Sequence, residues 1–558
     1  MRLISVNLVG QYKGLSDRLF SFERAEGDVI ALIGLNGSGK SQLLELIAES
    51  FSYLERYNRR DFVNRSSLPF DVTLKFSVNL DPDIPDEDIF TIAILRSRDV
   101  ICKKIDPEHG ELDWTDELPL PLHIVGYASG LNENLQRAFM KNAVQYFEIM
   151  KVRMRRRKEL EGVTGVGPLA DINRKYLNKY SHLFFERTPE ASYADYFFPE
   201  HEILEADTTP SQLSYIDYDS FPFLVVAISI LSRDERDRLL SQIQFRHPLK
   251  IVMHYDLKNW IFEEDTIRDI KLLVRVAGEH GFFPMGLRAS DQDFEAYGLE
   301  YLKGKIVLDL MDENVISELR ETNYDDPLQL FNRLYKIHLL GVKNWPTSGR
   351  RNLLWDDFLG TVKKPLKSKM PLTVDEILLA DTRGSAVNID DLSDGEAQLL
   401  QILGVISLYR NKQTLFLFDE PETHLNPAWR TFFHNHLEDA LSSRTTTNER
   451  SQVFLSTHSP FMISSLKKEN VFFFERNDND GQVSMVPAHS QTYGASFEVL
   501  IKNYYGLKSV ISQSAVEDVK AHLSAINTPE DRRQALSWIE ENLGESMEKA
   551  YLLRKLQN

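Results

Sequence analysis

The sequence has one cysteine, Cys102, in 558 residues, so neither an internal disulfide framework nor a cysteine metal cluster is available to it. That usage fits a reducing compartment, and we place the chain in the cytoplasm. No run reaches the roughly 18 consecutive apolar residues of a membrane span, and Met1 to Gly10 reads as a strand rather than a secretory signal. Positive charge is short overall: the net charge is -18, which argues against a surface that grips nucleic acid broadly. Sustained heptads and internal repeats are missing as well, which excludes a long coiled coil and a solenoid.

Apolar residues are plentiful, at 42%, and the length corresponds to roughly three to four domain-sized units. Ile4 to Val9 and Val29 to Ile33 read as strands, the second nearly continuous in apolar residues, as a strand covered on both faces requires. We divide the chain into an N-terminal lobe (1–130), a helical insertion (131–200), a mixed α/β insertion of unassigned role (201–375), a C-terminal lobe (376–490) and a helical tail (491–558). The helical periodicity of Phe139, Ala143, Phe147 and Met150 marks the first insertion, and a Gly-rich turn follows at Gly162 to Gly167. Lys250 to His254 and Lys305 to Leu310 are strand-like pieces of the second. Thr382-Arg383-Gly384-Ser385 reads as a hairpin turn, and Ala515 to Ile526 and Pro529 to Leu543 as helices.

Gly34-Leu35-Asn36-Gly37-Ser38-Gly39-Lys40-Ser41 satisfies G-x-x-x-x-G-K-[ST], between a strand ending at Ile33 and a helical pattern of Leu43, Leu44, Leu46 and Ile47. Glycines let several backbone N–H groups of Asn36, Gly37, Ser38 and Gly39 turn toward phosphate, and the following helix presents its positive end there. Lys40 is placed to reach the β and γ phosphates of ATP, and the Ser41 hydroxyl to bind Mg²⁺. Thr414-Leu415-Phe416-Leu417-Phe418-Asp419-Glu420 is a buried strand that delivers two acids at its carboxyl end. Asp419 suits Mg²⁺, and Glu420 suits the attacking water.

Leu392-Ser393-Asp394-Gly395-Glu396-Ala397-Gln398 resembles the L-S-G-G-E/Q signature of ABC-type ATPases, with Asp394 in place of the first glycine. A helix apolar on nearly every side follows, from Leu399 to Leu408. A serine hydroxyl and a glycine N–H at a helix N-terminus make a second anion site, for which Ser393, Gly395 and Glu396 are candidates in trans. Val453-Phe454-Leu455-Ser456-Thr457-His458-Ser459-Pro460 is a strand leading to a histidine, and the resemblance implies that His458 is the switch histidine facing the γ phosphate and the water. Pro421-Glu422-Thr423-His424-Leu425-Asn426-Pro427 is similar to the D-E-P-E-x-H-L-H-P stretch of the branch holding DNA-repair heads, overcoming-lysogenisation nucleases and anti-phage ATPases, with Asn426 departing from its histidine.

The resemblance covers roughly residues 1–130 and 375–490, and it implies an α/β ABC-type head, a P-loop NTPase, interrupted by a large mostly helical insertion and followed by a helical tail. It also implies ATP and Mg²⁺ as ligands, hydrolysis of ATP to ADP and phosphate, and two ATP molecules sandwiched between a head-to-tail pair. A transporter head is disfavoured without a membrane segment, and a cohesin-type head without heptads. The residues after Leu500 are too few for a Toprim nuclease and contain no D-x-D. In size and layout the chain resembles the Septu-type PtuA ATPases, also found in some retron effectors, where homo-oligomers of head pairs control a separate HNH nuclease, PtuB. The alternative is a repair or recombination ATPase acting directly on DNA, and a third reading is a regulatory module that binds ATP and rarely turns it over.

One basic run stands out: Lys151, Arg153, Arg155, Arg156, Arg157 and Lys158. It is either a solvated helix face or a docking site for DNA, RNA or an acidic partner. Tyr12 is an adenine-stacking candidate or a core tyrosine, and Gln136 a candidate lobe-coupling glutamine. His434-Asn435-His436 is not an HNH nuclease, because its three residues are adjacent within a helical pattern rather than spread over a ββα unit.

Overall fold

The computed structural model describes residues 1–81, 87–129, 133–186, 203–258, 264–290, 294, 298–361, 370–410, 412–441, 450–477, 481–506 and 511–557. Residues 187–200, the end of the expected helical insertion, lie outside that set. The chain forms two compact units, Met1–Tyr493 and Gly494–Asn558.

The first unit is built on a seven-stranded sheet in the order Leu213–Ile216, His123–Ala128, Thr414–Asp419, Gln452–Thr457, Val29–Gly34, Val471–Arg476 and Val483–Pro487. All neighbours are parallel except the last pair. Val29–Gly34, Thr414–Asp419 and Gln452–Thr457 are buried at every residue, which their unbroken apolar runs require. Register then sets the site: Asp419 lies opposite Ser456, and Ser456 opposite Leu32, so the carboxylates emerge one strand away from the phosphate loop.

A six-stranded antiparallel sheet, in the order Leu15–Ser21, Arg2–Tyr12, Asp71–Val78, Asp88–Ile94, Val100–Asp106 and Gly110–Asp113, forms a second layer. Aromatic contacts join the layers: Phe22 meets Phe454 and Phe472 edge-on, and Phe51 of the helix Lys40–Asn58 meets Phe76.

Two stretches expected outside the head belong to its core. The helix Glu133–Leu160 lies against Lys40–Asn58, where Glu49 accepts Arg137 Nε at 2.8 Å and Lys141 Nζ at 2.9 Å, and Ser52 donates to the Ala138 carbonyl at 2.8 Å. Its charged residues Arg137 and Lys141 pair inside the unit, although the sequence reads this stretch as an insertion. Leu213–Ile216 extends the central sheet, and the Tyr335 hydroxyl accepts the Tyr215 N–H and donates to its carbonyl.

Phe282–Pro284, Lys303–Asp309, Phe245–Asp256, Leu372–Asp381 and Ala386–Asn388 form a five-stranded antiparallel sheet in that order. The expected hairpin closes Leu372–Asp381 onto Ala386–Asn388: Asp381 accepts the N–H groups of Arg383 and Ser385, and Gly384 takes φ +87° in the turn. Three strands of the expected insertion, Phe245–Asp256, Phe282–Pro284 and Lys303–Asp309, thus share a sheet with the hairpin that precedes the signature.

The second unit contains the helices Phe497–Tyr504, Gln513–Ser524, Pro529–Asn542 and Met547–Gln557. Thr528 and Asp531 form a reciprocal capping box before Pro529, and the Lys549 ammonium donates to the Glu540 and Leu543 carbonyls at the other end of that helix.

Candidate nucleotide site

Gly34, Gly37 and Gly39 adopt φ of +143°, +77° and +105°, a backbone that residues with a Cβ resist, and this coils the loop at the start of the helix Lys40–Asn58. Leu35, Asn36 and Gly37 are exposed, whereas Ser38, Gly39 and Lys40 are buried. Lys40 Nζ donates to the Gly34 and Leu35 carbonyls at 2.9 and 3.2 Å. Burial pulls its pKa down to about 8, and the nearby Glu420, Asp419 and Glu422 only partly oppose that. The Ser38 hydroxyl is buried with no hydrogen-bond partner. An orphan hydroxyl and a desolvated cation beside a coiled glycine loop are what a phosphate group would satisfy.

The Ser41 hydroxyl donates to Asp419 Oδ1 at 2.7 Å, across the intervening strand Gln452–Thr457. Ser456 donates to the same oxygen. Glu420 stands at φ +51°, unusual for a residue with a side chain, and its N–H is held by the Ser456 carbonyl at 3.2 Å and hydroxyl at 3.1 Å. His458 Nε2 lies 3.4 Å from Glu420 Oε1. That hydrogen bond lowers the Glu420 pKa more than burial raises it. Behind them Glu422 is fully buried: Thr457 donates to Oε1, and Oε2 has no partner. Desolvation lifts its pKa to about 7.

The signature stands elsewhere. Ser393 caps the helix Asp394–Tyr409 in a reciprocal box with Glu396, accepting the Glu396 N–H at 3.3 Å while Glu396 accepts the Ser393 N–H at 2.8 Å. Ser393 is exposed, and among the described residues no hydrogen bond or ion pair joins Ser393, Gly395 or Glu396 to residues 34–41. Gly395 is buried, and a Cβ there would lie 2.9 Å from the His424 carbonyl, so the glycine permits the signature to pack on the loop after the carboxylates. Asn426, the departure in that loop, accepts the Trp429 N–H at 2.9 Å at the start of Pro427–Leu441, with Pro427 in the first helical position: it is a helix cap.

Residues 254–464 match the family model described as "AAA domain, putative AbiEii toxin, Type IV TA system", which takes in the signature, both carboxylates and His458. The match is to an AAA ATPase domain and covers under half of the chain. Among solved structures it is similar to the Smc head domain of Pyrococcus furiosus with an extended coiled coil bound to the C-terminal domain of ScpA, at 14% identity over 87% of this chain and 96% of that one, with a TM-score of 0.29. It is similar also to an SmcHead bound to the C-winged helix domain of ScpA (12% identity, 88% and 98% covered, TM-score 0.29) and to the Smc head domain of Pyrococcus yayanosii with a coiled coil and joint (14%, 91% and 100%, 0.32).

Several weaker candidates are resolved by burial. Tyr12 is fully buried, accepting Arg137 Nη2 at 3.0 Å and facing Glu45, so it is a core tyrosine and not an adenine platform. Gln136 donates to Asp217 at 3.3 Å, just past the end of the outer strand Leu213–Ile216. The basic run is not one surface: Arg153 bonds Thr208 at 2.6 Å and Arg156 bonds Glu205 and Asn173 at 2.8 and 3.0 Å, both inside, while Arg155, Arg157 and Lys158 are exposed. Arg153 and Arg156 are buried and share the carboxylate of Glu205, and Lys151 pairs with Glu148, which breaks up any continuous basic face. His434 pairs with Glu438 at 3.1 Å, and among the described residues no metal-ligating group of three forms. No described helix is long and apolar enough to cross a membrane.

Reading the motifs missed Ser456, Thr457 and Gln398 as partners. Gln398 had one legible signal: with Gln401 it interrupts a helix otherwise apolar on its packed faces.

Proposed function

We propose that the chain binds and hydrolyses ATP in head-to-tail pairs and that the paired state controls a separate HNH nuclease in an anti-phage defence complex. The observation that carries the pairing is that the exposed Ser393 bonds within its own capping box and, among the described residues, makes no hydrogen bond to its own phosphate loop. Lys40 and the N–H groups of residues 36–39 hold the phosphates of one head's ATP, and Ser393, Gly395 and Glu396 of a second copy close on the γ phosphate. Mg²⁺, when bound, would be held by Ser41 and Asp419 and would neutralise charge on the β and γ phosphates. Glu420 orients and polarises a water toward the γ phosphorus with His458 beside it. The water oxygen bonds to phosphorus as the bond to the bridging oxygen breaks, and ADP and phosphate leave. Hydrolysis removes the shared γ phosphate and loosens the pair, which a bound partner senses.

The defence reading rests on the Septu-type layout and gains support from the family match, whose description names a toxin of a type IV toxin–antitoxin system. Size measurement with ATP in the Glu420→Gln background should show pairs that Ser393→Arg prevents. Retention of full ATPase activity by Ser393→Arg, while Lys40→Ala abolishes it, would refute the trans signature. A small HNH protein should copurify in fixed ratio. Salt-dependent DNA binding by the chain alone, lost on neutralising Arg155 and Arg157, would instead favour a head acting directly on DNA.

A further inference from the structure

The signature helix is tied to the catalytic end of its own head through one buried side chain. Gln398 is 3% exposed, and its side-chain hydrogen bonds run to two other segments. Its Oε1 accepts the His424 N–H at 2.9 Å, and its Nε2 donates to the Tyr127 hydroxyl at 3.0 Å and the Ser129 hydroxyl at 3.4 Å. The His424 N–H fixes the amide's orientation, since only the oxygen can accept from it. Ser129 continues the strand His123–Ala128, and its N–H donates to the Asp419 carbonyl at 3.0 Å. Tyr127 lies opposite Phe418 in the sheet, and the two rings meet edge-on. His424 follows Glu420 and Glu422 in the loop on which Gly395 packs. Gln398 is therefore a strut with three feet: the start of the second turn of the signature helix, the loop after the carboxylates, and the strand end bonded to Asp419.

We infer that Gln398 is a positioning residue that couples the two composite ATP sites of a pair. This rests on the head-to-tail reading above. In that arrangement a head's signature serves its neighbour's ATP, whereas its own Asp419 and Glu420 serve the ATP on its own phosphate loop. When Ser393 engages the neighbour's γ phosphate, the first helical turn shifts, and the amide passes that shift to His424, Tyr127 and Ser129. Each head thus sets its own carboxylates for hydrolysis only once its signature is occupied. The shift is passed on because the buried amide is hydrogen-bonded to both segments at once. An apolar residue at 398 would leave the His424 N–H and Tyr127 hydroxyl unpaired and the segments free to move separately.

The test compares wild type, Gln398→Leu, Tyr127→Phe and the double variant in three measurements: fluorescent ATP-analogue affinity, ATP-dependent pairing in the Glu420→Gln background, and turnover. Tyr127→Phe removes one oxygen and keeps the ring, so it remains informative where Gln398→Leu folds poorly. The expected result is a loss in kcat of about tenfold for Gln398→Leu, from one or two buried hydrogen bonds, with affinity and pairing within about twofold of wild type. Tyr127→Phe should lose part of that factor, and the double variant no more than Gln398→Leu alone. Unchanged turnover in both single variants overturns the coupling. A loss of turnover matched by equal losses in affinity and pairing also overturns it, because that is the mark of a merely structural residue. If wild type never pairs with ATP, the head-to-tail reading falls and the coupling with it; if pairing is intact and only the Gln398 effects are missing, the coupling alone falls.

Discussion

His458 Nε2 and Glu420 Oε1 face each other at 3.4 Å, from the ends of two adjacent parallel strands. Glu420 reaches this position only by taking a left-handed backbone, φ +51°, pinned by both oxygens of Ser456. Strain of this kind persists where the surroundings over-determine it.

Glu420→Gln should keep ATP binding and reduce single-turnover hydrolysis by about 10²- to 10³-fold, the usual scale for losing a positioned base or charge in the transition state. His458→Ala should lose less. The double variant should resemble Glu420→Gln, since the pair acts on one water. Rapid-quench measurement of phosphate release checks all three.

The pH profile follows from the direction of the Glu420 shift. The carboxyl is held below the ordinary glutamate value, first by the His458 hydrogen bond, so it stays ionised as pH falls past that value. The acid limb of kcat should therefore lie below the ordinary carboxylate range and move up in His458→Ala. A limb that stays put in that variant would contradict the assignment.

Lys40 has a pKa lowered to about 8 by burial, so near that pH a substantial fraction of the free protein carries it neutral. Phosphate oxygens favour the charged ammonium, and nucleotide binding should draw in a proton. Calorimetry near pH 8 in buffers of different ionisation enthalpy should report net proton uptake, and Lys40→Arg should abolish it, because the guanidinium is already charged.

Glu422 shifts the other way. Its folded pKa, about 7, lies above its ordinary value of 4.5, so the folded state binds the proton more tightly than the unfolded chain. The associated stability is fully present below the ordinary value and lost as pH rises through about 7. Thermal melts should show the protein losing about 3 kcal/mol of stability from this group between about pH 4 and pH 8, and Glu422→Gln should flatten that slope.

Asn426 caps the helix Pro427–Leu441 through the Trp429 N–H. Asn426→Ala should lower stability by about 1 kcal/mol and leave ATP-analogue affinity unchanged. A large loss of pairing at unchanged stability would show that this position contacts the second head instead.

Legibility in the sequence tracked how local each feature is. The glycine loop, the twin acids after a buried strand and the serine cap before an apolar helix are each written in under ten consecutive residues. Backbone conformation and strand burial there leave few alternatives. Glu133–Leu160 was different: its charged residues, Arg137 and Lys141, resemble those of a surface helix until Glu49, far earlier in the chain, supplies their partner. Arg153 and Arg156, candidates for a solvated face or a docking site, are buried for the same reason, held by Thr208, Glu205 and Asn173 from other segments.

The sequence by itself determined the phosphate loop, the carboxylate strand, the signature cap and the strand leading to His458, because hydrogen bonding and burial within each short string dictate its shape. Tertiary structure alone decided that Ser41 meets Asp419 across a third strand, that Leu213–Ile216 joins the central sheet, and that Gln398 braces His424 against Tyr127. Those pairings span up to hundreds of residues. Sheet register and buried polar satisfaction fix them, and neither leaves a periodic trace in the chain.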